Sequence, residues 1–173
     1  MPLSFDQIIS SNTMNEELPE TCGGASQGSA PVTVDQFLCF ALYSASLAMT
    51  KLYQSRLKPL GLTYPQYLVL LALWETDNVT VSELGTRVHL DSGTLSQLFK
   101  RLEQAGLISR RRDVGHDERR VLITLTPAGT ALKSEAAGVP ADMISVMDTP
   151  LEELSDLTSR VAALRQKLIK AIP

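Results

Sequence analysis

Different residue patterns follow one another between Thr80 and Thr126, and the order of these patterns constrains the fold more than any other feature of the chain. Thr80 and Glu83 have the spacing of a capping box, which predicts a short helix. Asp91 is a favoured N-cap residue and Gly106 a favoured stop, so they bound a second, longer helix. Two helices joined by a brief turn are therefore predicted in the middle of the chain.

A β-hairpin is predicted directly after the second helix. Leu107 and Ile108 lead into a basic run, and a turn follows at 114–117. Apolar residues then alternate with other residues over 121–126, as expected of a half-buried strand. A short helix, a turn, a second helix and a basic hairpin form the plan of a winged helix-turn-helix. We therefore expect a mainly α fold with a small β-hairpin wing, in which about residues 63–126 form a DNA-binding core.

Helices are predicted on both sides of this core. Apolar residues at three- and four-residue spacing indicate a helix over about 35–58, and a further helical region extends over about 127–172. Its last helix carries a narrow apolar stripe that is suited to packing against another helix, formed by Leu154, Leu157, Val161, Leu164, Leu168 and Ile172. We assign both regions to dimerisation within a domain over 33–173. A flexible N-terminal extension over 1–32, rich in small and polar residues, precedes it.

The charge of the chain is unevenly distributed. The formal net charge is −3, yet residues 100–120 contain seven basic and four acidic residues, which leaves −6 on the rest of the chain. A local basic patch attracts the phosphate backbone of DNA even on an acidic protein, although a solvated charged loop has the same composition. On the second helix the candidate DNA-contacting residues are Ser92, Thr94, Ser96, Gln97, Lys100 and Arg101. In the hairpin they are Arg110, Arg111, Arg112 and Arg120.

Cys39 lies near the start of the first predicted helix and shares a helix face with two tyrosines. Tyr43 and Tyr53 follow it by 4 and 14 positions, which places each about 40° around the helix from Cys39. Phenol hydroxyls and the first turn of a helix both stabilise a thiolate. Tyr53, however, lies about 21 Å along the helix and could reach Cys39 only on another, antiparallel subunit. A lone cysteine is also compatible with a small buried hydrophobe, and this alternative stays open.

Two sequence blocks resemble the MarR family of transcriptional regulators. LDSGTLSQLFKRLEQAGLISRRRD and DERRVLITLTPAG are similar to the recognition helix and the wing of these proteins, and the resemblance extends over about residues 35–170. It implies that Arg119 enters the minor groove of DNA, oriented by Asp117, and a narrow minor groove attracts arginine electrostatically. It also implies a homodimer that binds a pseudo-palindromic operator in double-stranded DNA.

Three further blocks, CFALYSAS, MTKLY and LGLTYPQYLVLLALWE, resemble the organic hydroperoxide-sensing branch of the family, the OhrR type. The resemblance implies a reactive Cys39 that is hydrogen-bonded by tyrosines of both subunits, at Tyr43, Tyr53 and Tyr64. An organic hydroperoxide would oxidise the thiolate to a sulfenate, and the repressor would then release its operator. No cysteine follows Cys39, which is typical of one-cysteine members whose sulfenate is capped by a low-molecular-weight thiol. Cys22 in the extension is the alternative capping thiol.

Two other functions are compatible with parts of the sequence. A regulator of the same fold could be released by a small aromatic or phenolic ligand, with Cys39 passive. A thiol peroxidase could use Cys39 catalytically, but the basic wing argues against an enzyme, as does the lack of a nearby arginine or histidine in the sequence. His89 and His116 have no second ligand at metal spacing, so we expect no metal and no cofactor. No apolar run approaches the roughly 20 residues that cross a bilayer, so we expect a cytoplasmic protein without a membrane partner.

Overall fold

The structure, a computed structural model, describes residues 33–113 and 117–172, with the backbone alone at residues 113 and 117–119. The extension predicted at 1–32 and the tip of the hairpin lie outside the described residues. The described helices and strands are, in chain order, α1 (Leu38–Leu57), α2 (Tyr64–Glu75), β1 (Val79–Thr80), α3 (Val81–Val88), α4 (Ser92–Gln104), β2 (Ile108–Asp113), β3 (Asp117–Leu125), α5 (Pro127–Glu135), α6 (Val139–Met147) and α7 (Leu151–Lys170). The predicted fold class, mainly helical with a small antiparallel wing, is confirmed.

The first helix begins later than its periodicity predicts. A 3-10 turn covers Val34–Gln36, Phe37 is extended, and the α-helix starts at Leu38. The amide of Thr33 donates to the side-chain oxygen of Gln36 at 3.2 Å, so this cap serves the short turn and not the helix. At the other end α1 runs into a second 3-10 turn, and Gly61 adopts a φ of 67° as the chain reverses towards α2.

Side-chain caps begin the helices of the central segment where the sequence predicts them. The Thr80 amide donates to Glu83 Oε2 at 2.7 Å, and the Glu83 amide donates to Thr80 Oγ1 at 3.2 Å, which completes the capping box of α3. Asp91 Oδ1 accepts the Thr94 amide at 2.9 Å at the start of α4. Thr126 caps α5 through its hydroxyl oxygen. These bonds satisfy amides that have no partner inside their own helices.

The wing is part of a three-stranded antiparallel sheet with the strand order β1-β3-β2. β2 and β3 form the predicted hairpin, in which Ile108 lies opposite Leu125 and Arg111 opposite Leu122. β1 was not predicted; its Val79 pairs with β3. Two residues are too few to show an alternating pattern, so only the tertiary structure reveals this strand.

Helix α2 is apolar almost all round and is the centre of the hydrophobic core. Its buried apolar side chains are Tyr67, Val69, Leu70, Ala72 and Leu73. The neighbouring helices and the sheet add further buried side chains to this core, namely Leu84, Leu95, Leu98, Phe99, Leu102, Ile108 and Ile123. Full burial of each such large apolar side chain stabilises the fold by about 1.5–3 kcal/mol. The core therefore holds α4 and the wing on the same body as α2.

Helices α1 and α7 contribute little to this core. Within the described part of the chain, α1 buries Leu57 and α7 buries no residue. Large apolar side chains that stay exposed on these two helices include Leu47, Met49, Leu151, Leu157, Val161, Leu168 and Ile169. Large apolar side chains exposed to water are a common feature of interaction surfaces. Among the described residues no helix combines the length and the apolar character needed to span a membrane.

Candidate DNA interface and candidate thiol site

Helix α4 buries one face and exposes the other. The polar residues predicted to contact DNA are all exposed, namely Ser92, Thr94, Ser96, Gln97, Lys100 and Arg101. Leu95, Leu98 and Leu102 of the same helix are buried in the core. The helix is held by its apolar residues, and its polar groups are accessible to base edges and phosphate groups.

Thr94 takes part in the cap of α4 as well as in the exposed face. Its hydroxyl donates to Asp91 Oδ2 at 2.6 Å, while its amide donates to Asp91 Oδ1 at 2.9 Å. These two hydrogen bonds hold the pKa of Asp91 below its ordinary value. Because the hydroxyl proton is used in the cap, Thr94 offers a nucleic acid its methyl group and an acceptor lone pair.

An ion pair joins α4 to the wing. Arg110 Nε donates to Glu103 Oε2 at 3.0 Å, and Nη2 of the same arginine contacts the same oxygen. The hydrogen bond from Arg110 holds the pKa of Glu103 below its ordinary value. Arg110 is therefore oriented by α4. Glu103 was not predicted from the sequence, because a pair that forms across a reversal of the chain leaves no periodic signal.

The turn before β1 holds a second arginine of the wing. Arg111 Nη2 donates to Asn78 Oδ1 at 2.9 Å. Asn78 has a φ of 58°, a left-handed conformation that asparagine tolerates better than most residues. Asp77 Oδ1 accepts the amides of Asn78 at 2.8 Å and of Leu125 at 2.9 Å. Asp77 and Asn78 were not predicted as site residues, because their partners Leu125 and Arg111 lie 48 and 33 positions away.

The remaining residues of the predicted wing set are described to different extents. Arg112 and Arg120 are exposed. Hydrogen bonds at the cap of α3 hold the pKa of Glu83 below its ordinary value, and the charge of Arg120 adds to this effect. The side chains of Asp117 and Arg119 lie outside the description, and their roles remain those that the resemblance implies.

The Cys39 thiol is free and exposed. Cys39 is the second residue of α1, so it lies in the first turn, where the helix dipole favours a negative charge. Tyr43 follows one turn later and is also exposed, with 62% of its surface accessible. The alternative that Cys39 is a small buried hydrophobe is wrong for the single chain.

The two other predicted tyrosines form a stacked pair near the opposite end of α1. The ring centroids of Tyr53 and Tyr64 lie 4.5 Å apart, with the ring planes at 28°. Burial raises the pKa of both phenols, so they are protonated hydrogen-bond donors at neutral pH. Tyr53 lies about 21 Å from Cys39 along α1. The fold thus brings Tyr53 and Tyr64 together but leaves Cys39 and Tyr43 at the other end of the helix.

Tyr67 extends the stacked tyrosine pair into the core and was not predicted as a site residue. Its ring centroid lies 6.1 Å from that of Tyr53, and burial raises the pKa of its phenol. Its other neighbour is Trp74, which meets it edge-on at 6.1 Å. Tyr67 follows Tyr64 by three positions on α2, and this spacing is the signal that places it on the same helix face.

Neither histidine has a described metal environment. The parts of the chain that the structure describes contain no group of three side chains suited to hold a metal ion. His89 is exposed and ends α3 with a φ of 55°. His116 lies outside the described residues.

Similar proteins are regulators of transcription. A family model described as transcriptional regulator SarA/Rot matches residues 51–136. The organic hydroperoxide resistance transcriptional regulator of Bacillus subtilis (strain 168) is 46% identical over 131 residues, covering 76% of this chain and 88% of the relative. The HTH-type transcriptional regulator TtmR of Methylorubrum extorquens (strain PA1) is 44% identical over 138 residues, covering 80% and 70%. The solved structure of reduced AbfR bound to DNA matches with a TM-score of 0.68 and 36% identity, covering 79% of this chain and 92% of that chain.

Proposed function

The chain belongs to the MarR family of transcriptional regulators and to its OhrR-type branch, and we propose that it is a homodimeric repressor that senses organic hydroperoxides through Cys39. It is a DNA-binding regulator of transcription and not an enzyme, in line with its relatives. The observation that carries the redox proposal is the free, exposed Cys39 thiol in the first turn of α1, one turn before Tyr43. A thiol in such a position is accessible to a peroxide.

The surface of the single chain supports the proposed homodimer. α1 and α7 leave large apolar side chains such as Leu47, Leu157 and Leu168 exposed. Burial against a second copy removes this surface from water, at about 25 cal/mol per Å². A two-fold axis that runs perpendicular to α1 makes the two copies of that helix antiparallel. The stacked tyrosine pair of one protomer then approaches Cys39 of the other, which a single chain does not allow.

The proposed DNA contacts divide between α4 and the wing. The polar residues of α4 enter the major groove and read base edges, while Arg110, Arg111, Arg112 and Arg120 contact the phosphate backbone. Arg119, oriented by Asp117, enters the adjacent minor groove. In a two-fold dimer the two α4 helices occupy successive major grooves about 34 Å apart, which requires a pseudo-palindromic operator.

The proposed reaction is a two-electron oxidation of the Cys39 thiolate. Its sulfur attacks the terminal oxygen of an organic hydroperoxide, an S–O bond forms, and the O–O bond breaks. The alkoxide that leaves takes up the proton of the attacked oxygen and becomes an alcohol, and Cys39 becomes a sulfenate. A low-molecular-weight thiol then condenses with the sulfenic acid, which forms a mixed disulfide and releases water.

The proposed release of DNA follows from the position of Cys39 at the dimer interface. Oxidation replaces a hydrogen-bonded thiolate by a larger group, so the tyrosines lose their original partner and the interface rearranges. A change in the separation of the two α4 helices then removes their match to the DNA repeat. To convert a population that is almost all bound into one that is almost all released, oxidation must favour the second state by about 5.5 kcal/mol.

Operator binding by the wild type and by Cys39→Ser, before and after a stoichiometric amount of cumene hydroperoxide, tests this function. We expect both reduced proteins to bind the promoter of their own gene, and the oxidised wild type alone to lose binding. The Cys22→Ser variant is the matched control and should be released like the wild type. Release of Cys39→Ser by the hydroperoxide would contradict the proposal. Persistent binding of the oxidised wild type would contradict it as well and would favour a regulator released by a small aromatic ligand.

The capping step has its own test. Intact-mass measurement after oxidation in the presence of a low-molecular-weight thiol should show one mixed disulfide at Cys39 in both the wild type and Cys22→Ser. An internal disulfide between Cys22 and Cys39 in the wild type would contradict capping by an external thiol and would assign that role to the extension.

A further inference from the structure

A continuous series of aromatic contacts leads from the stacked tyrosine pair through the core. Tyr64 stacks on Tyr53 at 4.5 Å, and Tyr53 lies 6.1 Å from Tyr67. Tyr67, with 1% of its surface exposed, meets Trp74 edge-on at 6.1 Å and an interplanar angle of 69°. Each ring in this series contacts the next one. Close packing of rigid rings favours the transmission of a displacement over its absorption by flexible side chains.

Trp74 connects this series to the base of the wing. Its indole Nε1 donates to the carbonyl oxygen of Gly129 at 2.9 Å, across 55 positions of sequence. Gly129 lies at the point where α5 begins, and a Cβ atom there would lie 2.0 Å from the carbonyl oxygen of Leu107. The amide of Gly129 donates to Thr126 Oγ1 at 3.0 Å, and that hydroxyl donates to the carbonyl oxygen of Gly106 at 2.6 Å. The indole is therefore bonded directly to the junction between α4, the wing and α5.

We propose that Trp74 is a positioning residue that couples the stacked tyrosine pair to the junction at Gly106, Leu107 and Gly129, through its hydrogen bond to the Gly129 carbonyl. This inference rests on the proposed function, because it explains how an oxidised thiol site alters the orientation of α4 and the wing. When the tyrosines change partners, the ring series shifts the indole, and its N–H no longer reaches the Gly129 oxygen in its original geometry.

The hydrogen bond of the indole suits this role better than a second hydrogen bond between α2 and α5. Lys133 Nζ of α5 donates to the carbonyl oxygen of Trp74 at 3.2 Å, but this bond is exposed and depends on a flexible side chain. The indole N–H is fixed in direction by a rigid ring and is either bonded or not bonded. A bond with two discrete states is the kind of element through which two sites can be coupled.

The test uses Trp74→Phe together with the replacement of Trp74 by benzothienylalanine, an isostere in which sulfur takes the place of the N–H group. The measured quantity is the ratio of the operator Kd after oxidation by cumene hydroperoxide to the Kd before it. Because these variants lack the bond that oxidation is proposed to break, we expect the reduced variants to bind the operator at least about fivefold more weakly than the reduced wild type, which corresponds to about 1 kcal/mol. The oxidised variants should bind like the oxidised wild type, so the ratio falls by the same factor. Lys133→Met and Tyr67→Phe, which keep the indole bond and the ring contacts, should retain the wild-type ratio.

A purely structural role of Trp74 would weaken both DNA-bound states and leave the ratio unchanged, and this result would overturn the inference. The isostere keeps the volume of the indole, so it tests the hydrogen bond even if Trp74→Phe is poorly folded. If the wild type itself is not released by the hydroperoxide, the proposed function fails. If the wild type is released and the isostere is released equally well, only the role of Trp74 fails.

Trp74 also provides its own readout, because it is the one tryptophan of the chain. Its fluorescence should change on oxidation of the DNA-free wild type and should stay constant in Cys39→Ser treated in the same way. Unchanged fluorescence in a wild type that has lost its operator would contradict the proposed movement of the indole.

Discussion

Glu103 of α4 accepts a hydrogen bond from Arg110 of β2, so one carboxylate joins the exposed helix to the base of the wing. The two side chains are separated by seven positions and are each more than one third exposed. An ion pair with this much exposure contributes about 0–1 kcal/mol to stability, since solvent screens the charges. Its effect is therefore on orientation. It fixes an arginine that would otherwise sample many rotamers in a region proposed to contact DNA.

Glu103→Gln should therefore change DNA recognition more than stability. We expect the free energy of unfolding to change by less than about 1 kcal/mol. Affinity for unrelated DNA should rise, because a negative charge is removed from the interface. The preference for the operator over a scrambled duplex should fall several-fold, because Arg110 no longer holds the phosphate backbone in the register in which α4 reads base edges. Fluorescence anisotropy titrations with both duplexes provide the measurement, and an unchanged preference would contradict the orienting role. Asp156→Asn, which removes the exposed Arg160–Asp156 pair of α7, is the matched control.

Gly129→Ala should destabilise the fold, because the added Cβ would lie 2.0 Å from a backbone oxygen that cannot move without displacing the wing. Overpacking of this kind costs about 1–3 kcal/mol. Gly138→Ala is the control in the same region of the chain, since a Cβ at Gly138 meets no atom within 4 Å. Urea unfolding of both variants checks this prediction. Equal midpoints for Gly129→Ala and Gly138→Ala would show that the junction is less closely packed than described.

The stability of the protein should fall at acid pH through the cap of α4. Hydrogen bonds from Thr94 hold the pKa of Asp91 below its ordinary value, so the cap stabilises the folded chain when the carboxylate is charged. That contribution is fully present above the unfolded pKa, near 4, and is lost as the pH falls through the lower folded pKa. Asp91→Asn keeps an N-cap residue that does not titrate. The urea midpoint of this variant should therefore vary less between pH 5 and pH 2 than that of the wild type.

The control for this acid effect is Glu152→Gln, an exposed residue in the first turn of α7. Its midpoint should follow that of the wild type across the same pH range. If Asp91→Asn followed the wild type as closely, the acid sensitivity would arise from other carboxyl groups and not from this cap.

Leu157→Glu should separate the proposed dimer without unfolding the protomer. Leu157 is 54% exposed in the single chain, so a charge at this position costs little in the protomer but is unfavourable in an apolar interface. We expect sedimentation to show a monomer, circular dichroism to show unchanged helix content, and operator affinity to fall by at least about tenfold, because one half-site alone is bound. Ser159→Glu, also exposed on α7, should remain dimeric. A dimeric Leu157→Glu would place the interface elsewhere.

Much of the fold was predictable because its signals are local. The caps at Thr80 and Asp91 each depend on a partner three positions away, so they can be read directly from the sequence. The alternation of polar and apolar residues in α4 likewise predicts which face is buried, since Leu95 and Leu98 follow the helical repeat. The spacing of Cys39 and Tyr53 even excludes a contact within one chain, because the rise of a helix is fixed.

Only the tertiary structure decided which distant parts of the chain are in contact. Arg111 reaches Asn78 across 33 positions, and the Trp74 indole reaches Gly129 across 55. Such pairs follow no repeat in the sequence, because the distance between their side chains depends on how α2, the sheet and α5 pack against one another. The sequence by itself determined the helices, the wing and the chemistry of the candidate residues. The packing of the core determined which of those residues meet, because burial of apolar surface is not directional and selects partners only through the shape of the folded chain.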